Sequence, residues 1–284
     1  DILCKGENGK YGLLRKLENG KYIIGENDMK LALTLAKSGS DADLFKKAYF
    51  YIYDEPRNDE EYALSNTITA QLDAVKAELA PLLAAYPDLQ ASFLNIKQLV
   101  TAPNPTDKTY ADKKVGSFWN QTTFVNDNYG NTPLSGDSYI YTPQYQWFHT
   151  EEQRALYANE AEVWWYGCMH PINPYPTYHI NSPLVAGRVE SWMRYDYDID
   201  GMLYGAVNYW GTYDENGQIV QDDYWNSFVN CSAPGDQMLI YPGSAYGVYG
   251  PIGSVRLENI REANEDYEYL WMLENEYGIS DIST

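Results

Sequence analysis

The chain has 284 residues, 44% of them hydrophobic, which is enough for one large domain with a sizeable core or for two small domains. Its net charge of −20 disfavours nucleic acid and anionic membrane surfaces as partners, because both carry negative charge. No apolar run approaches the roughly 20 residues of a membrane helix, and the start lacks the pattern of a signal peptide. The three cysteines, Cys4, Cys168 and Cys231, are too few for a disulfide framework.

The first half of the chain alternates predicted strands and helices after a mostly polar start. The aromatic and β-branched run at 48–53 is followed by Pro56 and predicts a fully buried strand. Apolar residues at helical spacing, with acidic residues in the first turn, predict a long helix over 58–85. The other elements predicted in this half are a helix at 28–37 and strands at 93–100 and 115–119.

The second half continues the alternation after a stretch at 126–149 that is rich in Gly, Pro, Asn and Tyr and predicts a long loop. Two helix starts are marked by capping patterns, the capping box of Thr150 and Gln153 and the pair Ser182-Pro183. The predicted elements that follow the loop are helices at 150–160, 182–195 and 254–277, the last one ending at Gly278, and strands at 162–168, 201–210 and 238–241.

This alternation is typical of βα units around a parallel sheet, in which chemistry lies at the carboxyl ends of the strands. One acidic pair among aromatic and amide side chains fits a sugar site, because the C–H faces of sugars stack on aromatic rings. The 28 Tyr and 8 Trp also have a plainer explanation, since most aromatic residues fill cores. The residues at the predicted strand ends are Asp54-Glu55, Thr101, Trp119-Asn120, Tyr166 and Tyr209-Trp210.

The acid pair Asp54-Glu55 is the strongest candidate for catalysis. Cleavage of a glycosidic bond needs an acid for the leaving oxygen and a group that stabilises the positive centre, and crowded carboxyl groups can divide these roles. Strand neighbours point to opposite faces, so the two acids share a site only if the strand ends there, as Pro56 suggests. The alternative is a turn that caps the next helix. The similar pair Asp214-Glu215 falls in an Asp-Glu-Asn-Gly turn and is expected to be solvated charge.

Five longer stretches carry a family resemblance: YFYIYDEP (49–56), EVWWYGC (162–168), GRVESWMRYDYDIDGMLYGAVNYW (187–210), LIYPG (239–243) and GPIGSVRLENIREANEDYEYL (250–270). In this order they resemble the catalytic domain of family 123 glycoside hydrolases, a domain type that also occurs in the broader DUF4091 group. The resemblance implies a (β/α)8 TIM-type barrel and a retaining exo-β-N-acetylgalactosaminidase. In that family the 2-acetamido oxygen of the sugar is the nucleophile and forms an oxazolinium intermediate.

The same resemblance implies a role for each acid. Asp54 would orient and polarise the acetamido group, and Glu55 would act as general acid and then as general base. Such substrate-assisted enzymes are exceptions to the usual spacing of two catalytic carboxylates, because no second carboxylate attacks the sugar. Gly205 departs from the family, which often has Trp there, and alters a wall expected to contact the sugar. Ala263-Asn264 replaces a common Gly-containing pair in the last helix.

The barrel is expected to be incomplete in this chain. If 49–53 is the fourth barrel strand, three βα units of about 30 residues each should precede it, yet only 48 residues do. We therefore divide the chain into an N-terminal segment, 1–47, left from a preceding barrel part, and a catalytic barrel portion, 48–284. The earlier strands are expected in sequence that this chain does not carry, and a reduced barrel is the alternative.

Six residues on or directly after the predicted strands are predicted to bind substrate, with Tyr166 contacting the acetamido oxygen; core packing is the alternative for each. Cys168, His170 and His179 fit no standard zinc spacing, so no metal and no cofactor is expected. Arg256 and Arg261 are expected to pair with nearby acids. The predicted substrate-binding residues are Trp119, Asn120, Trp164, Tyr166, Asn208 and Trp210.

The leading hypothesis is a hydrolase for glycans that end in β-linked N-acetylhexosamine. A glycosidase with another sugar specificity and a carbohydrate-binding module without turnover are the alternatives. An extracellular, periplasmic or cell-surface location is expected from the class of substrate alone.

Overall fold

The computed structural model of the chain describes ten segments and divides them between two compact units. The first unit contains residues 1–143 and 147–163, and the second contains 144–146 and 164–284. Each unit is described by itself. The described segments are 14–16, 22–24, 44–55, 59–102, 139–155, 157–158, 160–210, 212–216, 219–220 and 233–279.

The first unit is built around a parallel sheet. Its strands run in the order β3-β4-β5, and Leu99 and Val100 of the central strand are fully buried. The elements are β1 (Leu14–Lys16), β2 (Tyr22–Ile24), α1 (Leu44–Lys47), β3 (Tyr49–Tyr53), α2 (Asp59–Leu79), a 3-10 turn (Ala80–Leu83), α3 (Pro87–Leu94), β4 (Lys97–Ala102), β5 (Tyr139–Pro143), a 3-10 turn (Tyr145–Trp147, whose first two residues belong to the second unit) and α4 (Glu151–Ala155).

Two predictions in this unit are wrong. Phe93 belongs to helix α3, not to a strand that begins at that residue, and its buried ring packs on Phe45 at 5.3 Å between centroids. The region 126–149 is not a loop throughout, because Tyr139–Pro143 forms the buried third strand of the sheet. Short apolar runs suit both buried strands and buried helix segments, so periodicity alone did not separate them. The helix predicted at 28–37 and the strand at 115–119 lie outside the described residues.

A buried polar network ties helix α2 to the sheet. Tyr139 of β5 donates its hydroxyl to Asn66 Oδ1 at 2.9 Å, and Thr69 Oγ1 lies 3.0 Å from the same hydroxyl. Gln98 of β4 donates to Ser65 Oγ at 3.2 Å and accepts from Thr69. Because buried polar groups are costly when unpaired, this network fixes the position of α2 on β4 and β5.

The second unit pairs two parallel strands, β6 and β7, and packs two long helices, α5 and α6, together. Ser191 Oγ donates to the Ala263 carbonyl at 2.7 Å, and Arg188 forms a two-pronged ion pair with Asp266 at 2.6 Å. The elements are β6 (Trp164–Gly167), α5 (Val185–Asp196), β7 (Gly201–Tyr204), β8 (Thr212–Tyr213), β9 (Ile219–Val220), β10 (Ile240–Tyr241), a 3-10 turn (Gly243–Tyr246), β11 (Ile252–Gly253) and α6 (Val255–Tyr277).

Three predicted helix boundaries, at Thr150, Ser254 and Gly278, are confirmed. Thr150 and Gln153 form the capping box, with reciprocal hydrogen bonds of 3.1 and 3.2 Å. Ser254 caps α6 by accepting the Leu257 N–H at 3.2 Å, and Gly278 ends that helix with a φ of 67°. The prediction for Ser182 is wrong: α5 begins at Val185 without a side-chain cap, because the Ser182 hydroxyl bonds to Thr177 instead.

None of the helices among the described residues has the length and apolar character needed to cross a membrane. The parallel pairs of each unit agree with βα connectivity, and the (β/α)8 barrel stays a prediction.

Candidate active site

The predicted acid pair directly follows β3, which ends at Tyr53 as expected. Because β3 and β4 are parallel, their carboxyl ends meet at one edge of the sheet, and Thr101 of β4 lies beside the pair. The Thr101 hydroxyl donates to Asp54 Oδ1 at 2.8 Å and accepts the backbone N–H of Glu55 at 2.9 Å. The Tyr51 hydroxyl donates to the same Asp54 oxygen. One threonine therefore connects the side chain of the first acid to the backbone of the second.

The backbone at the pair departs from regular strand geometry. The register between β3 and β4 slips between Tyr51 and Tyr53, which marks a bulge, and bulges change where the following side chains point. Glu55 has a φ of 45°, a left-handed conformation that costs a residue with a side chain on the order of 1–3 kcal/mol. Asp54 is exposed and Glu55 is half-buried. The two acids thus leave the strict alternation of a strand.

Tyr51 acts as a permanent hydrogen-bond donor to Asp54. Burial raises the pKa of its phenol well above the ordinary value of 10.0, and the negative charge of Asp54 raises it further. The phenol therefore keeps its proton throughout the pH range in which an enzyme works. Among the described residues, both donors to Asp54, Tyr51 and Thr101, end on Oδ1. This orientation presents Oδ2 as the oxygen for an N–H or O–H group of a ligand.

In the second unit, Trp164 and Tyr166 lie on β6, as predicted. A side-chain atom added to Gly201 would overlap the Trp164 indole, so this ring packs against the backbone of the neighbouring strand. Tyr166 is buried, with 4% of its surface exposed, and pairs with Gln144 in a parallel bridge. The packing on Gly201 supports a structural role for one face of Trp164, and the sugar contacts of both residues stay predictions.

Asn208 and Trp210 do not share a regular strand, because β7 ends at Tyr204 rather than at residue 210. Asn208 is exposed and forms an isolated antiparallel bridge with Met238. The Trp210 indole donates to the Ile240 carbonyl at 2.7 Å, so this N–H serves the backbone. Trp119 and Asn120 lie outside the described residues. Sugar binding by these four residues stays a prediction.

A buried acid that the sequence did not single out lies in the second unit. Asp236 is 4% exposed and accepts from the Tyr204 hydroxyl at 2.8 Å and from Gln237 Nε2 at 3.3 Å. His179 Nε2 lies 4.0 Å from Asp236 Oδ1 and 2.9 Å from the Cys168 carbonyl. Burial raises the pKa of the Asp236 carboxyl. The local sequence Pro-Gly-Asp-Gln has the composition of a solvated turn, so it gave no signal of this burial.

The prediction for Arg256 is wrong, whereas that for Arg261 is confirmed. Arg256 is buried and donates to the carbonyl oxygens of Tyr178 and Gly235, each at 2.7 Å, and to that of Met238. It therefore ties loop backbone together instead of pairing with an acid. Arg261 lies on the exposed face of α6 and pairs with acids, which are Glu258, Glu262 and Glu265.

The family comparison matches residues 34–273 to the model described as "Glycoside hydrolase 123, catalytic domain". This match covers most of the chain and includes every described residue of the two clusters around Asp54 and Asp236. The chain belongs to the glycoside hydrolase 123 family. It is a glycoside hydrolase catalytic domain, and its substrate is a glycan. No curated protein matches the chain.

In this glycoside hydrolase 123 domain, Gly205 follows β7 and is exposed. A Cβ atom at this position would lie 3.3 Å from Cδ and Nε2 of Gln237, so the missing side chain leaves room beside that amide. Gln237 itself has a left-handed backbone, with a φ of 59°. Residues with such strained backbones cluster at functional sites. The sequence gave no indication that Gln237 would have this conformation. Among the described residues of the domain, no group of three or more His, Cys, Asp and Glu is arranged to hold a metal.

Proposed function

We propose that this glycoside hydrolase is a retaining exo-β-N-acetylgalactosaminidase in which the 2-acetamido oxygen of the substrate is the nucleophile. The observation that carries the proposal is the Thr101 hydroxyl, which hydrogen-bonds to Asp54 Oδ1 and to the Glu55 N–H and so holds both acids at one strand end. Adjacent acids suit this mechanism, because neither has to reach the anomeric carbon from the opposite face of the sugar.

Asp54 has the role of orienting the acetamido group. Its Oδ1 accepts from Tyr51 and Thr101, and its Oδ2 is the oxygen presented to the acetamido N–H. A hydrogen bond from that N–H to a fixed carboxylate raises the electron density on the acetamido oxygen. The same bond stabilises the positive charge that develops when this oxygen attacks the anomeric carbon.

Glu55 has the role of proton donor and then of base. Its half-buried carboxyl group would protonate the glycosidic oxygen as the oxazolinium forms, and it would then remove a proton from the water that opens this intermediate. The water attacks the face from which the leaving group departed, since the acetamido oxygen occupies the other face. Two inversions at the anomeric carbon give overall retention.

The scaffold of this proposal is a (β/α)8 TIM-type barrel whose site lies at the carboxyl ends of its strands. The parallel order β3-β4-β5 and the parallel pair β6-β7 support it. Terminal β-linked N-acetylgalactosamine occurs on glycans outside the cytoplasm, so a secreted, periplasmic or cell-surface location is part of the proposal.

The test is hydrolysis of 4-nitrophenyl β-glycosides of N-acetylgalactosamine, N-acetylglucosamine and galactose. We expect turnover of the N-acetylgalactosaminide and none of the galactoside, which lacks the nucleophile. Glu55→Gln should abolish cleavage of substrates with poor leaving groups, and Asp54→Asn should lower kcat for every N-acetyl substrate, by about 100-fold or more in each case. Proton NMR of the first product should show the β anomer.

A matched control is the exposed pair Asp214-Glu215, in which Asp214 accepts the Asn216 N–H at 2.9 Å within its own turn. The double variant Asp214→Asn, Glu215→Gln removes the same charges from an exposed turn, and its kcat should equal that of the unaltered chain. Normal turnover by Asp54→Asn and Glu55→Gln would refute the proposal.

A glycosidase with another sugar specificity is the second candidate, and Gly205 favours it. The family often has Trp at this position, and here the space lies beside the Gln237 amide, which can bond to a hydroxyl or acetamido group. Hydrolysis of the galactoside, retained in Asp54→Asn, would decide for this candidate.

A further inference from the structure

Thr101 hydrogen-bonds to both acids at the proposed catalytic site. A threonine hydroxyl has one proton to donate and two lone pairs that accept. Here the proton goes to Asp54 Oδ1, and a lone pair receives the Glu55 N–H. Thr101 is 1% exposed and lies within the parallel ladder between β4 and β5, where it pairs with Thr142. Its hydroxyl is therefore a fixed point of the sheet.

The Thr101 hydroxyl holds each acid in a different way. Asp54 is held through its side chain, so the bond sets the direction of its second oxygen. Glu55 is held through its backbone, in a left-handed conformation that persists only where the surroundings enforce it. Valine has the shape of threonine but no hydroxyl, so it would remove both constraints and leave the strand intact.

We propose that Thr101 is a positioning residue that sets the geometry of Asp54 and Glu55 relative to each other. This inference rests on the proposed roles of the two acids. It extends these roles, because a single hydroxyl would align the acid that orients the acetamido group with the acid that donates the proton. That hydroxyl belongs to a residue 46 positions after Glu55 in the chain. The two acids would then be oriented relative to each other before the sugar binds. Such preorganisation favours a near-attack arrangement of the reacting groups.

Tyr51 allows the two effects of Thr101 to be separated. Its hydroxyl donates to Asp54 and lies 3.2 Å from Thr101 Oγ1, but it makes no described bond to the Glu55 backbone. Tyr51→Phe therefore removes a direct hydrogen bond to the acid that orients the acetamido group and leaves Thr101 bonded to the Glu55 N–H. Thr101→Val loosens that acid and also the proton donor. A series of leaving groups distinguishes the two, because a good leaving group needs little protonation and a poor one needs a well-placed acid.

The experiment measures kcat and KM of the full chain on aryl β-glycosides of whichever sugar it cleaves, with phenols of decreasing acidity as leaving groups. For Thr101→Val we expect kcat to fall by about 100-fold with little change in KM, and the loss should grow as the leaving group becomes poorer. For Tyr51→Phe the loss should be the same for all leaving groups. Thr101→Ser keeps the hydroxyl and should restore most of kcat.

Thr142→Val is the matched control, because Thr142 occupies the paired position on the next strand and is fully buried. Within the described part of the chain, its hydroxyl donates only to the Ile140 carbonyl, at 3.4 Å. Its kcat should be unchanged, and its thermal stability should show how much a buried hydroxyl matters for folding. A Thr101→Val variant with normal kcat and normal leaving-group dependence overturns the inference. If Asp54→Asn and Glu55→Gln retain activity, the proposed function fails instead.

Discussion

Glu190 is the most deeply buried acid among the described residues of the second unit, and its removal should cost much of the stability of that unit. It is 1% exposed on helix α5. Its Oε1 accepts the Trp165 indole N–H at 2.6 Å, and its Oε2 accepts the Tyr178 hydroxyl at 2.9 Å. Arg194 Nε lies 3.1 Å from Oε1 as an ion pair, although it lacks hydrogen-bond alignment. Burial raises the pKa of the Glu190 carboxyl despite these partners.

The magnitude follows from the groups that Glu190→Ala would leave without an acceptor. Each buried donor that loses its partner costs about 1–3 kcal/mol, and breaking a buried ion pair from one side costs about 3–5 kcal/mol in total. We therefore expect a loss of about 3–5 kcal/mol in the free energy of unfolding. Glu190→Gln keeps an oxygen for Trp165, and the Tyr178 hydroxyl can accept from the new amide, so its cost should be about 1–2 kcal/mol.

Urea unfolding followed by tryptophan fluorescence and by far-UV circular dichroism measures these costs, provided that the m-value stays constant. Glu268→Ala, on the exposed surface of α6, is the control and should change stability by less than about 0.5 kcal/mol. A Glu190→Ala variant as stable as this control would refute the reasoning, because it would mean that the three donors find other partners or are not buried.

Two further predictions concern the second unit. Gly201→Ala places a methyl group where the Trp164 indole lies, so it should lower the free energy of unfolding by about 1–3 kcal/mol and change the near-UV circular dichroism; unchanged values would contradict that packing. Burial raises the pKa of the Asp236 carboxyl in the folded chain, even with His179 nearby. The stabilisation that the protonated carboxyl gives is therefore complete below its ordinary pKa of 3.8, and it is lost as the pH rises through the higher pKa of the folded state. Asp236→Asn should therefore gain stability relative to the unaltered chain as the pH rises, measured by melting temperature, whereas a constant difference would oppose this sign.

Local patterns in the sequence predicted several features because they depend on residues close together in the chain. The capping box of Thr150 and Gln153, the helix start at Ser254 and the stop at Gly278 each involve backbone groups within one helical turn. The end of β3 directly before Asp54 could also be predicted from neighbouring residues, because an aromatic and β-branched run is followed by a proline. The family motif could also be recognised from short stretches. The sequence thus determined where the acid pair falls and which class of reaction the domain serves.

Only the tertiary structure decided which groups surround the acids. Thr101 reaches Asp54 because two parallel strands bring their carboxyl ends together, and strand register depends on packing between distant segments rather than on neighbours in the chain. The burial of Asp236 is similar, because its environment comes from Tyr204 and His179, which lie more than thirty residues earlier in the sequence. Hydrogen bonds between distant segments leave no periodic pattern in a sequence, so a threonine at a strand end gives no sign of the two groups it holds.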